Sequence, residues 1–160
     1  MSGYGDLWWP THAELSAQAG VDELWQAYCT TWVRISLPEA SVQIRPSALV
    51  RDASPPAGEL HVITACDPAS CGDRRDDDNR LALLRRTLHG HVCFPAEGSD
   101  PGGEHTEPSL AVSGLSDRDA QELGALFGQV AVFSWRGPHW SVLACTAGRR
   151  SELGWEMTEP

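Results

Sequence analysis

Apolar side chains near the start of the chain recur with the period of a helix. Thr11 and Glu14 have the spacing of a capping box, which predicts a short helix that ends near Gly20. A second helix is predicted by an apolar stripe at positions i, i+3, i+4 and i+7, formed by Val21, Leu24, Trp25 and Tyr28. One face of that helix is therefore expected to pack against a core.

The hydrophobic period then shortens to two, which is typical of half-buried strands. Val33, Ile35 and Leu37 alternate with their neighbours in this way. The alternation resumes at Val42 and Ile44 after a turn that contains proline. Two such runs joined by a short turn predict a β-hairpin.

Beyond this hairpin the pattern predicts strands and helices in turn. Residues 60–65 form an almost continuous apolar run, which favours a central strand covered on both faces. The elements expected after it are a helix with its apolar face at Leu81, Leu84 and Leu88, a strand at 91–94, a loop rich in glycine and acidic residues at 95–108, a strand at 110–112, a helix capped by Ser116, and strands at 130–135 and 140–145.

This order of elements predicts an α+β fold. Between residues 60 and 135 it reads strand, helix, strand, strand, helix, strand, which is the ferredoxin-like (βαββαβ) order. We therefore expect a ferredoxin-like core with an added N-terminal helix and β-hairpin and an extra C-terminal strand. Residues 1–160 form a single domain in this interpretation, with its core at about 60–145 and a loose polar tail at 146–160.

Composition narrows the classes of partner. The 160 residues carry a net charge of -10 and no lysine, so an acidic surface should repel nucleic acid and anionic membranes. No apolar run is long enough for a membrane span, and no secretory leader is visible at the start. The five cysteines have irregular spacing, which is typical of reduced thiols in a cytoplasmic protein.

Several sequence motifs resemble a bacterial family catalogued as domain of unknown function 3293. They are VITACDP at 62–68, Asn79 with Gly90, AEGSDPGGEHTEPS at 96–109, FGQVA at 127–131, and Trp135. The resemblance covers roughly residues 60–135 and implies a fold and a site location but no activity. The chain departs from the family pattern at Cys66-Asp67 and at His105, where members usually carry Trp-Asn and Trp, so this chain carries more reactive side chains there.

The acidic segment within that resemblance is the first candidate site. Glu97, Asp100, Glu104 and Glu107 lie close in sequence to His105. Clustered carboxylates can shift one another's pKa, act as general acid and base, or hold a hard cation. The competing interpretation is a solvated turn whose acids cap backbone amides.

The end of the strand at 60–65 is the second candidate site. Cys66 would act as a nucleophile with His105 as its base, and Asp67 would assist. A buried, inert thiol is the alternative, because free cysteines are commonly buried beside apolar strands. Four further residues are expected to bind ligand around these two sites: Asn79, Gly98, Ser109 and Gln129. A structural amide is the alternative for Gln129.

Metal binding is considered and not favoured. Cys66 and Cys71 have the spacing of a zinc-ligand pair, whereas His89, His91 and Cys93 are poorly spaced for a second pair. We therefore predict no metal ligands, and the sequence indicates no particular cofactor. The adjacent Trp8 and Trp9 suggest either a surface for a protein partner or a flap over a pocket.

The sequence supports three functional hypotheses. The first is a small cytoplasmic enzyme that acts on a small polar molecule through the acidic, glycine-rich loop beside the end of the central strand. The second is a non-catalytic binding or regulatory module with a protein partner or a homodimer. The third is a metal-binding protein that uses cysteine and histidine. All functional interpretation depends on whether Cys66 and the loop carboxylates face one cavity.

Overall fold

The computed structural model describes residues 9–66 and 74–159. Its four helices are α1 (His12–Ala19), α2 (Asp22–Cys29), α3 (Arg74–Thr87) and α4 (Asp117–Leu126). Its eight strands are β1 (Trp32–Ser36), β2 (Ser41–Ser47), β3 (Leu60–Thr64), β4 (Cys93–Ser99), β5 (Thr106–Val112), β6 (Ala131–Arg136), β7 (His139–Ala144) and β8 (Arg150–Thr158).

All eight strands form one closed antiparallel barrel. Their order around it is β1-β2-β8-β7-β6-β3-β5-β4, and β4 pairs with β1 to complete the circle. Closure pairs both sides of every strand and leaves no free sheet edge. A barrel of eight strands has an interior that side chains can fill or that can hold one small ligand.

The hydrophobic core has two layers, one on each face of the barrel wall. The inner layer fills the barrel with large aromatic and β-branched side chains, and Leu15 and Trp25 from α1 and α2 pack against it. The outer layer lies between α3, α4 and the strands β3, β5, β6 and β7. Because β3 is covered by both layers, its buried faces confirm the doubly covered strand predicted from its apolar run.

Local sequence signals at the helix starts and the first hairpin are confirmed. The Thr11 hydroxyl accepts a hydrogen bond from the Glu14 amide at 3.2 Å and caps α1. The Ser116 hydroxyl accepts one from the Asp119 amide at 3.0 Å and caps α4. Strands β1 and β2 form the predicted antiparallel hairpin, in which Ile35 lies opposite Val42.

The predicted ferredoxin-like α+β fold is wrong. The four strands assigned to that core lie side by side in the order β6-β3-β5-β4, but their sheet continues through β7, β8, β2 and β1 until it closes. The N-terminal hairpin is therefore part of the barrel wall and not an addition to a finished sheet. An open sheet with free edges does not occur in the described residues.

Two segments predicted as irregular are strands, and they explain this error. Residues 146–160 contain β8, which pairs with β2 on one side and β7 on the other, so most of the predicted loose tail is a wall of the barrel. The predicted loop at 95–108 is mostly the β4–β5 hairpin, whose register runs from Cys93 opposite Val112 to Ser99 opposite Thr106. Prolines and glycines lower the strand propensity of this segment, but pairing on both sides outweighs it.

Candidate functional site

A cavity of about 290 Å³ lies between α2 and the barrel interior. One part of its lining is apolar, and the other is polar and comes mainly from the β4–β5 hairpin. The apolar part consists of Leu24, Ala27, Tyr28, Val62, Ala131 and Phe133. The polar part consists of Thr30, Thr31, Thr64, Ser99, Asp100, His105, Glu107 and Ser109, with Gly98 between them.

Strand pleat and register determine which hairpin residues face this cavity. Side chains alternate between the two faces of a strand, so Glu107 and Ser109 point inward on β5 while Pro108 between them points outward. On β4, Gly98 lies opposite Glu107 and shares its face. Glu97 is exposed on the outer face and does not line the cavity.

Asp100 fixes the turn that joins the two strands of the hairpin. Its Oδ1 accepts a hydrogen bond from the His105 amide at 2.9 Å, and its carbonyl oxygen accepts one from the Gly103 amide at 3.0 Å. Gly103 has a φ of 70°, a left-handed conformation in which glycine is favoured. Asp100 therefore both lines the cavity and positions His105.

His105 and Glu107 form a hydrogen-bonded pair at the rim of the cavity. His105 Nε2 lies 3.0 Å from Glu107 Oε1, and the two side chains are 58% and 29% exposed. A carboxylate only accepts hydrogen bonds, so Nε2 is the donor and the lone pair of a neutral ring lies on Nδ1. The second carboxylate oxygen of Glu107 has no hydrogen bond to any other described residue. Such a pair can accept and donate protons, and it is in contact with both solvent and the cavity.

Tyr28 forms part of the cavity wall and was not predicted as a site residue. Its ring lies 6.3 Å from that of Phe133, with 59° between the ring planes. Burial raises the pKa of Tyr28, and the negative charge of Glu107 raises it further, so the hydroxyl stays protonated. The sequence places Tyr28 on an apolar helical stripe, where only its hydroxyl group distinguishes it from a core residue.

Cys66 is buried behind the hairpin and does not line the cavity, so the condition that it shares one cavity with the loop carboxylates is not met. Asp100, Glu107 and His105 remain as the candidates that face the cavity. Its Sγ lies 3.6 Å from the Pro108 carbonyl oxygen, to which it donates a weak hydrogen bond. Burial raises the pKa of the Cys66 thiol to about 12, and a hydrogen bond with Thr64 opposes that shift only in part. The thiolate that a nucleophile requires is therefore scarce at neutral pH. Asp67, its predicted assistant, lies outside the described residues.

We expect Cys66 in the folded protein to react with iodoacetamide at least about tenfold more slowly at pH 8 than in the unfolded chain. The thiolate fraction falls as the pKa rises, and the greater nucleophilicity of a more basic thiolate offsets only part of that loss. Alkylation followed by peptide mass spectrometry measures the rate at Cys66, and the same chain in denaturant supplies the reference. Equal rates in the two states would show that Cys66 is accessible and ionised.

The remaining predicted ligand-binding residues lie in different places. Ser109 lines the cavity, where its hydroxyl donates a hydrogen bond to the Glu107 carbonyl oxygen at 3.2 Å. Gln129 is buried, and its amide nitrogen donates to the Cys66 carbonyl at 2.8 Å and the Phe127 carbonyl at 3.1 Å. Asn79 is half-buried on α3 and is not part of the cavity lining. The structure thus gathers Gly98 and Ser109 with the His105–Glu107 pair and separates Gln129 and Asn79 from them.

The described cysteine and histidine residues that were considered as metal ligands do not form a cluster. Among residues 9–66 and 74–159, no three His, Cys, Asp or Glu side chains are arranged to hold a metal ion. Cys93 Sγ lies 3.6 Å from the His91 carbonyl oxygen, while Cys71 falls outside the described residues. The donors present near the cavity, Asp100 and Glu107, are oxygen ligands that suit hydrogen-bond donors and cations.

Trp9 is a packed residue of the outer layer. Its ring meets that of Phe127 edge-on, with 5.6 Å between the centroids. The Arg80 guanidinium lies over the Trp9 ring, 4.5 Å from the centroid of that ring. Trp8 lies outside the described residues. Packing in the outer layer therefore accounts for an aromatic residue at position 9.

A second polar cluster on the outer face of the barrel was also missed by the sequence analysis. His61 is buried on β3, and its Nε2 lies 2.7 Å from Asp117 Oδ1 at the start of α4. Burial alone would raise the pKa of Asp117, but the His61 hydrogen bond and the nearby positive charges of Arg136 and Arg150 outweigh it and lower that pKa. The cluster joins α4 to the barrel, and a histidine within the apolar run at 60–65 was its only sequence signal.

Comparison with known proteins gives a family match to part of the chain and no activity. Within the described part of the chain, no helix has both the length and the apolar character needed to cross a membrane. No curated protein and no solved structure gives a significant match to the chain. Residues 63–132, from β3 into β6, match the model of the family described as Protein of unknown function (DUF3293), which confirms the resemblance seen in the sequence motifs over this part of the chain.

Proposed function

We propose that the protein is a small enzyme that acts on a small polar molecule held in the barrel cavity. The observation that supports this proposal is the His105–Glu107 pair, with 3.0 Å between Nε2 and Oε1, at the rim of that cavity. The reaction class is proton transfer, with His105 as the general base and Glu107 orienting its ring. Four of the cysteines are unpaired thiols, which fits a reducing, cytoplasmic compartment.

The chemistry follows from the tautomer that Glu107 imposes. Neutral His105 accepts a proton from the substrate at Nδ1, and the positive charge that develops on the ring is stabilised by the Glu107 carboxylate. The protonated ring then gives this proton to the product or to water and becomes neutral again. Asp100 supports this step because its carboxylate holds the backbone amide of His105.

The shape of the cavity supports a small substrate. Its volume of about 290 Å³ lies just below the range of small-molecule sites, which is about 300–1,000 Å³. The apolar wall from α2, β3 and β6 shields a bound molecule from water and strengthens polar interactions with the hairpin. A folded peptide or nucleic acid strand would not fit in this volume.

The proposal is tested by incubating the purified protein with a metabolite extract and following each compound by mass spectrometry. We expect one or a few compounds to decline with the wild type. His105→Gln keeps a donor for Glu107 but has no nitrogen that accepts a proton, so it should slow the decline at least about a hundredfold. Glu107→Gln should slow it as well and change its pH profile.

The chain offers a matched control for these variants. Glu97→Gln removes a carboxylate from the same hairpin, but on the outer face of the barrel, and should leave the rate unchanged. Circular dichroism and thermal unfolding of all variants establish that each is folded. Consumption by His105→Gln at the wild-type rate would refute the role of His105, and an unchanged extract would refute the enzymatic proposal.

A non-catalytic binding module remains the second candidate because a closed eight-stranded barrel with a cavity is suited to holding one small ligand. In that case a compound from the extract would remain bound to the protein through gel filtration. Denaturation of the protein would then release that compound chemically unchanged. The same experiment therefore separates the two functions.

A further inference from the structure

The permanently charged side chains that line the cavity are all negative among the described residues. Asp100 and Glu107 supply carboxylates, and none of the described lining residues is lysine or arginine. The chain as a whole carries a net charge of -10. An anionic ligand would lose part of its hydration on entry and find no fixed positive partner, which costs free energy.

The acceptors in this lining are available to a ligand. One oxygen of Glu107 is used by His105, while the other makes no hydrogen bond to a described residue. The Tyr28 hydroxyl likewise has no hydrogen-bond partner among the described residues. Both groups are accessible to a ligand in the cavity, because Glu107 is 29% exposed and Tyr28 is half-buried in the cavity lining.

Two aromatic rings line the cavity beside these carboxylates. Tyr28 and Phe133 line the cavity with their centroids 6.3 Å apart, and Glu107 is close enough to Tyr28 for its charge to act on that hydroxyl. Aromatic faces attract organic cations, and this attraction strengthens when the cation is desolvated. Carboxylate and aromatic faces therefore favour the same charge.

We propose that the cavity selects small organic cations, with an ammonium group held by Glu107 and an apolar body packed against Tyr28 and Phe133. This inference rests on the proposed function, to which it adds the class of substrate. The ammonium group donates hydrogen bonds to the free Glu107 oxygen, and Asp100 adds a second negative charge at the rim. Ligands with phosphate or carboxylate groups are excluded by the same charges.

Three probes that share a phenyl ring and are positive, neutral and negative in charge test this selectivity. Benzylammonium, benzyl alcohol and benzoate differ in their polar group and share the same ring. Isothermal titration at pH 7 should show benzylammonium binding at least about tenfold more tightly than benzyl alcohol, and benzoate most weakly or not at all. Glu107→Gln should remove the preference for the cation, and Glu97→Gln should retain it.

The outcomes separate this inference from the enzymatic proposal. Equal affinities for the three probes, a preference for benzoate, or no binding by any of them would overturn selection of cations, whatever the metabolite experiment shows. An unchanged preference in Glu107→Gln would also overturn it, provided that the variant has the unfolding temperature of the wild type. Cation selectivity without consumption of any metabolite would support this inference and refute only catalysis.

Discussion

Gly154→Ala is expected to destabilise the folded protein by about 3 kcal/mol or more, although it adds a single methyl group. Gly154 is buried on β8, opposite Ser47 on β2. A Cβ at this position would overlap the carbonyl oxygen of Leu49, and it would lie 2.6 Å from the Leu49 carbonyl carbon and 3.0 Å from the Val50 Cα. These are backbone atoms, which cannot move aside as the end of a side chain can.

Gly98→Ala is the matched control because Gly98 also lies in a barrel strand. A Cβ there would meet only the Thr31 Cγ2, at an ordinary contact distance of 3.7 Å. We expect its free energy of unfolding to remain within about 1 kcal/mol of the wild type. Urea unfolding of the two variants measures the difference, and equal losses of stability would contradict the close approach of residues 49–50 to β8.

The helix starts could be predicted from sequence because local chemistry decides them. Thr11 and Ser116 each cap a helix by bonding an amide three residues later, and no distant part of the chain is required for that interaction. The β1–β2 hairpin is likewise specified by two alternating runs and the turn between them. The closed barrel depends on pairing between distant segments, of which β2 with β8 and β1 with β4 are the decisive cases.

Strand β8 could have been recognised from its own pattern. Arg150, Glu152 and Glu156 are exposed, whereas Leu153 and Trp155 alternate with them toward the interior. The charged residues make the segment polar on average, which favoured a tail, but their spacing is that of a strand with one solvent-facing side. For this segment, the alternation of polar and apolar residues therefore predicts secondary structure better than the average polarity does.

The sequence predicted which segment carries the candidate site, but not which side chains of that segment face the cavity. Glu97 and Glu107 are equivalent in a loop, but in a hairpin the pleat sends the first outward and the second into the cavity. That assignment depends on register, in which Gly98 lies opposite Glu107. The contribution of Tyr28 could not be predicted, because it depends on how α2 packs over the interior of the barrel.

Deletion of residues 147–160 is expected to abolish cooperative folding. The deletion removes β8 and exposes the edges of β2 and β7, which would otherwise be paired. It also removes Trp155, whose ring meets Trp135 edge-on at 5.0 Å and whose Nε1 donates a hydrogen bond to the Gly137 carbonyl at 2.9 Å. Loss of a buried tryptophan alone typically costs about 3–5 kcal/mol, which is a large part of the stability of a domain of this size.

Nuclear magnetic resonance measures the result, since an unfolded chain gives amide signals of low dispersion. Deletion of residues 159–160 is the control, because it leaves β8 intact and should preserve the dispersed spectrum. A well-dispersed spectrum from the longer deletion would show that the remaining strands close without β8. The experiment also bears on the site: the Trp25 Nε1 of α2 donates a hydrogen bond to the Ser151 hydroxyl of β8 at 2.9 Å. Because α2 carries Tyr28, loss of β8 should remove the cavity wall together with the barrel that encloses it.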